Sequence, residues 1–135
     1  MFCLDTNIII GALTERAPAV AKRIEFELEA GSRILVPVIV LYELRFGLAK
    51  SKQRAMSEAL LRAFIGDRME VVHFTEDDAI DAGELRAQLE LAGNPIGPYD
   101  ILIAAQARRR GATLVTFNRR EFSRVAGLTI TDWSD

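Results

Sequence analysis

The sequence contains one cysteine, Cys3, and one histidine, His73. A single cysteine cannot form a disulfide within the chain, which is typical of proteins kept in a reducing environment. Zinc prefers cysteine and histidine ligands, so these counts also argue against a zinc site. We interpret Cys3, in the apolar segment Met1 to Leu4, as a buried hydrophobic side chain.

Long hydrophobic stretches are also missing. No apolar run approaches the roughly 20 residues that cross a bilayer, and the N-terminus lacks a basic region followed by a cleavable apolar segment. We therefore expect a cytoplasmic protein. Its 135 residues suffice for one compact domain, residues 1–135, and we find neither an internal repeat nor an interdomain linker.

An excess of positive charge is absent as well. The formal net charge is −2 and the isoelectric point is near 5.5, so any nucleic-acid binding must be local. Of the cations, 14 are arginine and 3 are lysine. Several arginines cluster late in the chain: Arg108, Arg109, Arg110, Arg119, Arg120 and Arg124. Arginine binds phosphate through two parallel hydrogen bonds, but a basic run ending a helix also complements its dipole, and both interpretations stay open for Arg108 to Arg110.

Apolar runs alternate with amphipathic segments along the chain. The predicted strands are Met1–Leu4, Arg33–Val36, Met69–Phe74, Ala112–Val115 and Leu128–Ile130. Helices are predicted near Asn7, over Ala19–Ala30, Val38–Lys50, Arg54–Ile65 and Glu76–Leu91, after Pro98, and around Arg119–Val125. Strands separated by helices predict the α/β class, with a mainly parallel central sheet of about five strands covered on both faces.

Three acidic residues follow predicted strands. Asp5 comes directly after the first strand, Glu43 lies in the helix after the second, and Asp100 opens a helix that is apolar all round. Ligands of parallel sheets bind beyond the carboxyl ends of the strands, where these acids would meet. Each has an alternative interpretation: Asp5 as a helix N-cap, Asp100 as a partner of the helix dipole, and Glu43 as a surface residue.

Three carboxylates at one site repel each other unless a cation joins them. Oxygen ligands alone select Mg²⁺, with Mn²⁺ as a substitute. Such acid clusters hydrolyse phosphodiester bonds through water activated by the metal. The sequence offers no competing serine, cysteine or histidine constellation, and it has no phosphate loop of the Walker type.

Four segments together resemble the PIN domain of VapC toxins, in the family's order and over almost the whole chain. They are Leu4 to Asn7, Tyr42 to Gly47, Ile96 to Ala105 and Leu114 to Phe122. The resemblance implies a PIN-like three-layer α/β/α sandwich and a Mg²⁺-dependent endoribonuclease that acts as the toxin of a toxin–antitoxin pair. It also implies a VapB-type antitoxin as partner and RNA, for some members transfer RNA, as substrate.

Matching positions carry the family's roles onto this chain. Asp5 and Asp100 become the principal metal ligands, and Glu43 a ligand or the partner of metal-bound water. Thr6, Asn7 and Thr116 become groups that orient the carboxylates.

The chain departs from the family at Asn118, where many PIN domains have a fourth acid two residues after the threonine that corresponds to Thr116. An amide supplies no charge, and Glu121, three residues later, is an alternative source of the fourth carboxylate. Whether Asn118 or Glu121 takes that role stays open, as does the number of metal ions.

Contacts with substrate and partner are the remaining expectations. Arg119, Arg120 and Arg124 are candidates for RNA phosphates, with Phe117 or Tyr99 stacking on an unpaired base. We also expect a homodimer, because the helices over 38–50 and 54–65 offer more apolar surface than one sheet face covers.

Two other functions compete with this one. A phosphatase or phospho-acceptor domain usually needs an acid two residues after its nucleophile, and that position is Asn7 here. A catalytically silent PIN-like module that binds RNA or protein is the second alternative, and it is favoured by the neutral Asn118.

Overall fold

The structure is a computed structural model that describes residues 1–134; the predicted domain range 1–135 ends at Asp135, which lies outside the described residues. Strands and helices alternate along the described part. In chain order they are β1 Phe2–Leu4, α1 Thr6–Leu13, α2 Pro18–Glu29, β2 Ile34–Pro37, α3 Val38–Lys50, α4 Arg54–Ile65, β3 Glu70–Val72, α5 Glu76–Leu91, α6 Pro98–Arg109, β4 Thr113–Val115, α7 Arg119–Phe122 and β5 Ile130–Thr131.

The five strands form one sheet in the order β3-β2-β1-β4-β5, and every neighbouring pair is parallel. The chain builds outward from β1 through β2 to β3, then returns and places β4 on the other side of β1. The order of strands therefore switches between β1 and β4, the place where ligands of such sheets bind.

Helices cover both faces of the sheet. α1 packs on α2 and α3, and α3 packs on α4, while α5 packs on α6. Right-handed crossovers running in opposite directions along a sheet place their helices on opposite faces. The strand interiors Cys3, Leu35 and Leu114 are accordingly buried, as a sheet covered on both sides requires. The predicted three-layer α/β/α sandwich is confirmed, and the sheet is parallel throughout.

Most predicted boundaries agree with the structure, and α3, α4 and α5 agree to the residue. The last strand lies at Ile130–Thr131 rather than Leu128–Ile130. The Leu128 N–H donates to the Val125 carbonyl in a turn, and the first hydrogen bond to β4 is accepted by the Thr129 carbonyl from the Leu114 N–H. No helix among residues 1–134 is both long and apolar enough to span a membrane.

A buried ion-pair network joins α5 to the end of α6. Asp78 is fully buried, and its carboxylate accepts hydrogen bonds from Arg109 at 2.8 Å and from Arg110 at 3.0 and 3.1 Å. It also accepts from the backbone N–H of Thr75, which completes a capping box at the start of α5. Arg108 pairs with Asp81 at 3.0 Å.

This network answers the question left open for Arg108 to Arg110. Their guanidinium groups bind carboxylates of α5 rather than standing free. Arg109 comes nine positions after Asp100 on α6, which corresponds to about 13 Å along the axis. The three arginines therefore lie at the opposite end of α6 from the predicted acid site.

The charge of Asp78 is stabilised by its partners. Burial alone would raise the pKa of Asp78, but hydrogen bonds from Arg110, the Thr75 N–H and Arg109 hold the pKa well below its ordinary value. A carboxyl with a lowered folded pKa stabilises the fold above the ordinary aspartate pKa, about 3.9. That contribution is lost as the pH falls toward the folded value.

We predict that Asp78→Asn lowers the free energy of unfolding at pH 7 by about 3 kcal/mol, the low end for breaking a buried ion pair, because Arg109 and Arg110 keep partial contact with water. Urea denaturation measures this change. The matched control is Asp77→Asn, since Asp77 is exposed and contacts Arg109 at only 3.6 Å. Equal effects of the two substitutions would contradict the network's role.

Candidate active site

Asp5 lies at the point where the strand order switches. It follows β1 directly, its N–H donates to the Val115 carbonyl at the end of β4, and only 7% of its surface is exposed. The Thr116 hydroxyl donates to Asp5 Oδ2 at 2.8 Å, and the Thr6 N–H donates to Asp5 Oδ1 at 2.8 Å. Asp5 is thus also the N-cap of α1, which was the alternative interpretation of this residue.

Glu43 reaches the same edge from α3. Its Oε1 accepts a hydrogen bond of 2.8 Å from the Thr6 hydroxyl. Thr6 therefore contacts two acids, Asp5 through its backbone and Glu43 through its side chain. The orienting role that the resemblance implies for Thr6 requires contacts of this kind, and Thr116 makes the corresponding contact with Asp5.

Asp100 stands in the first turn of α6, after the loop over residues 93–97. Gly97 precedes this turn, and a Cβ there would lie 3.3 Å from Asp100 Oδ2. The neighbouring position therefore favours glycine, which leaves room for the carboxyl group. The loop of glycine and proline places Asp100 at the start of α6, near Asp5 at the carboxyl ends of the strands.

Asn118 and Glu121 act together at this edge. The Asn118 side-chain amide donates to Glu121 Oε2 at 2.7 Å, and the Asn118 N–H donates to the Thr116 hydroxyl at 3.0 Å. The carboxyl groups of Glu121 and Asp100 lie close enough to share a hydrogen bond. The Asn118 amide thus holds the Glu121 carboxylate near Asp100.

Burial first, and then repulsion between neighbouring acids, raises the pKa of two of these residues. The pKa of Asp100 rises to about 7, first because of burial, then because of Asp5, the hydrogen bond and charge of Glu121, and least because of Glu43. Burial is also the main reason that the pKa of Asp5 is raised, against the opposing hydrogen bonds from Thr116 and Thr6. Asp5 and Asp100 therefore resist being ionised together at neutral pH.

A divalent cation fits this donor set in charge and chemistry. The four acids, Asp5, Glu43, Asp100 and Glu121, all offer oxygen ligands, which hard ions such as Mg²⁺ prefer. A cation would also remove the repulsion that contributes to the raised pKa of Asp100. Within residues 1–134, however, no three His, Cys, Asp or Glu side chains are already arranged to hold an ion.

Within residues 1–134, the other predicted site residues make no side-chain hydrogen bond to these carboxylates. Asn7 is exposed on the first turn of α1. Arg119 lies 3.5 Å from Asp132, and the Arg124 guanidinium donates to the Pro95 carbonyl at 2.8 Å. Arg120 is exposed on α7, the short helix that also carries Glu121.

Two tyrosines lie together at the site, and the sequence predicted a base contact only for Tyr99. Tyr42 and Tyr99 are both exposed, and their ring centroids lie 5.6 Å apart. The neighbouring Tyr42 side chain, and to a smaller extent Glu43, raise the pKa of Tyr99. The available signal was that each tyrosine directly precedes a candidate acid, Glu43 or Asp100.

Comparison with known proteins shows one consistent family. The protein-family model of the PIN domain matches residues 2–128 of this chain. The chain is 38% identical over 133 residues to the tRNA(fMet)-specific endonuclease VapC of Shigella flexneri, covering 98% of both chains, and 36% identical over 133 residues to Ribonuclease VapC2 of Rickettsia felis, again covering 98% of both. Among solved structures, VapBC2 from Rickettsia felis bound to a DNA fragment from their promoter matches with a TM-score of 0.89 and 35% identity over 96% of both chains.

We predict that the metal-free protein loses stability as the pH rises from about 4 toward 7. The folded state then keeps the Asp100 proton that the unfolded chain releases, so the free energy of unfolding falls. Mg²⁺ competes with that proton, and we expect it to raise the melting temperature more at pH 8 than at pH 5.5. Differential scanning calorimetry measures both effects.

The control pair is Asp100→Asn and Glu84→Gln, of which the second changes an exposed acid on α5. Asp100→Asn should reduce the pH dependence, leaving the part that comes from Asp5, and should remove most of the response to Mg²⁺, whereas Glu84→Gln should preserve both. A Mg²⁺ response retained in Asp100→Asn would argue against a cation at this site.

Proposed function

The chain belongs to the PIN-domain family and, within it, to the VapC ribonucleases, and we propose that it is a Mg²⁺-dependent endoribonuclease acting as the toxin of a VapB–VapC pair. The observation that carries this proposal is that carboxylates lie together beyond the ends of β1 and β4. There, burial and the neighbouring Asp5, Glu121 and Glu43 raise the pKa of Asp100. We assign the whole range 1–135 to one PIN domain, and we expect it to act in the cytoplasm.

Asp5 and Asp100 are proposed as the principal ligands of the cation, with Glu121 supplying further negative charge. When bound, Mg²⁺ neutralises charge on the scissile phosphate and makes water a better nucleophile at neutral pH. Glu43, which Thr6 holds at the same edge, is proposed as a further ligand or as the partner of metal-bound water.

The remaining polar residues are proposed to keep this geometry fixed. Thr116 holds Asp5, Thr6 holds Asp5 and Glu43, and Asn118 holds Glu121. Each donates a hydrogen bond to a carboxylate oxygen, and each of these oxygens has a second lone pair that an ion or the substrate could use. Asn7, exposed beside Thr6, stays a candidate for the same role.

RNA is the proposed substrate class. Relatives from Shigella flexneri and Salmonella typhimurium are named tRNA(fMet)-specific endonucleases, which supports transfer RNA in particular. The cluster of carboxylates repels phosphate, so cations must flank it. Arg119, Arg120 and Arg124 on and after α7 are the proposed flanking group, and Arg120 is the best placed because it is exposed beside Glu121.

A VapB-type antitoxin is the proposed partner, in line with neighbours solved as VapBC complexes. An apolar groove of about 310 Å³ runs between α1, α3 and α4 and is lined by Ile10, Leu44, Leu60 and other apolar side chains. Glu43 lies on its wall, so a segment bound in the groove would end beside the acids. We also propose that the toxin forms homodimers, which light scattering at micromolar concentration tests.

We predict that the purified protein cleaves RNA in Mg²⁺ or Mn²⁺ and stops when a chelator removes the ion. Asp5→Asn, Asp100→Asn and Glu121→Gln should each lower the cleavage rate by about 100-fold or more, since a metal ion contributes several kcal/mol to phosphodiester hydrolysis. Cleavage of labelled transfer RNA on denaturing gels measures the rates.

Glu84→Gln is the matched control and should keep full activity. Circular dichroism of every variant separates loss of chemistry from loss of folding. Undiminished cleavage in chelator would contradict the metal mechanism. RNA binding without cleavage by the unaltered protein would instead favour the silent binding module.

We predict that Leu60→Lys weakens binding of the VapB-type protein by at least about 10-fold, because a charged side chain would enter the apolar groove. Isothermal titration calorimetry measures the affinity. Leu91→Lys changes an exposed leucine at the end of α5 and is the matched control. Equal binding by both variants would mean that the partner docks elsewhere.

A further inference from the structure

Tyr42 and Tyr99 form an exposed aromatic pair at the edge of the acid site. Their ring centroids are 5.6 Å apart with an interplanar angle of 54°, and the two residues are 53% and 46% exposed. Tyr42 comes from α3 and Tyr99 from α6, so two helices that pack together present the rings jointly. We name these two side chains the tyrosine pair.

The tyrosine pair is continuous with the proposed catalytic acids. Tyr42 directly precedes Glu43, Tyr99 directly precedes Asp100, and the Glu43 carboxylate acts electrostatically on the Tyr99 side chain. A nucleotide whose phosphate lies at the acids would therefore have its base or sugar within reach of these rings.

The negative charge of the site determines which part of a nucleotide can bind to the two tyrosine rings. Four carboxylates create a negative field that disfavours further phosphates, whereas a nucleobase is neutral and stacks on aromatic faces regardless of its sequence. Bases within a duplex are already stacked and paired, so only an unpaired base is free to make this contact.

We infer that the tyrosine pair is a stacking platform for one unpaired RNA base beside the phosphodiester bond that is cut. The inference rests on the proposed ribonuclease function and narrows its substrates to single-stranded or looped RNA. The platform adds affinity and orients the strand, while the acids carry the chemistry.

The test measures RNA binding without cleavage. A fluorescein-labelled single-stranded oligoribonucleotide of about 12 nucleotides is titrated with the Asp5→Asn protein in Mg²⁺, and anisotropy gives the dissociation constant. Adding Tyr99→Ala or Tyr42→Ala should weaken binding by about 10-fold, because base stacking is lost. Tyr99→Phe keeps the ring and should bind within about 2-fold of its parent.

Two controls make the result specific. Phe26→Ala removes an exposed aromatic side chain from α2, away from the acids, and should leave binding unchanged. An abasic strand of the same length keeps the sugar–phosphate backbone but offers no base. On this strand the Tyr99→Ala protein and its parent should bind equally.

The inference is overturned if Tyr99→Ala binds the normal strand as tightly as its parent, or if it loses the same affinity for the abasic strand. It is also overturned if the substitution weakens binding of the VapB-type protein and not of RNA. Because these assays measure binding, their failure is distinct from failure of the proposed function, which would show as absent Mg²⁺-dependent cleavage by the unaltered protein.

Discussion

The proposed function depends on the repulsion among carboxylates at one edge of the sheet. The fold brings Asp5 and Asp100 to this edge, with Glu121 and Glu43 around them, and burial together with these neighbouring charges raises the pKa of Asp100 to about 7. Such an arrangement is unfavourable for folding alone. A bound divalent cation would offset this repulsion, so the repulsion is also the source of the affinity for metal that we propose.

The rest of the fold holds this arrangement in place. Parallel strands put the ends of β1 and β4 side by side, and hydroxyl and amide donors fix three of the acids. α6 connects the two charged regions of the molecule, because Asp100 stands at its start and Arg109 and Arg110 stand at its end. Their ion pairs with the buried Asp78 anchor α6 to α5 and so fix the helix that presents Asp100.

The sequence was informative where local rules decide the structure. Asp5 follows a strand and Asp100 follows a loop of glycine and proline, so their common edge was predictable from the α/β pattern. Arg109 and Arg110 were not, because their partner Asp78 lies about 30 residues away and no local signal distinguishes an ion pair from a free cation. Likewise, only the folded chain brings Asn118 onto Glu121 and Tyr42 beside Tyr99.

The central claim is that the acids share a divalent cation, and the most direct measurement is the anomalous scattering of Mn²⁺ in crystals of the protein. The account predicts a peak about 2 Å from carboxylate oxygens of Asp5 and Asp100, since hard ions bind carboxylates at that distance. A protein saturated with Mn²⁺ that shows no peak at this edge of the sheet, or a peak held by other residues, would contradict it.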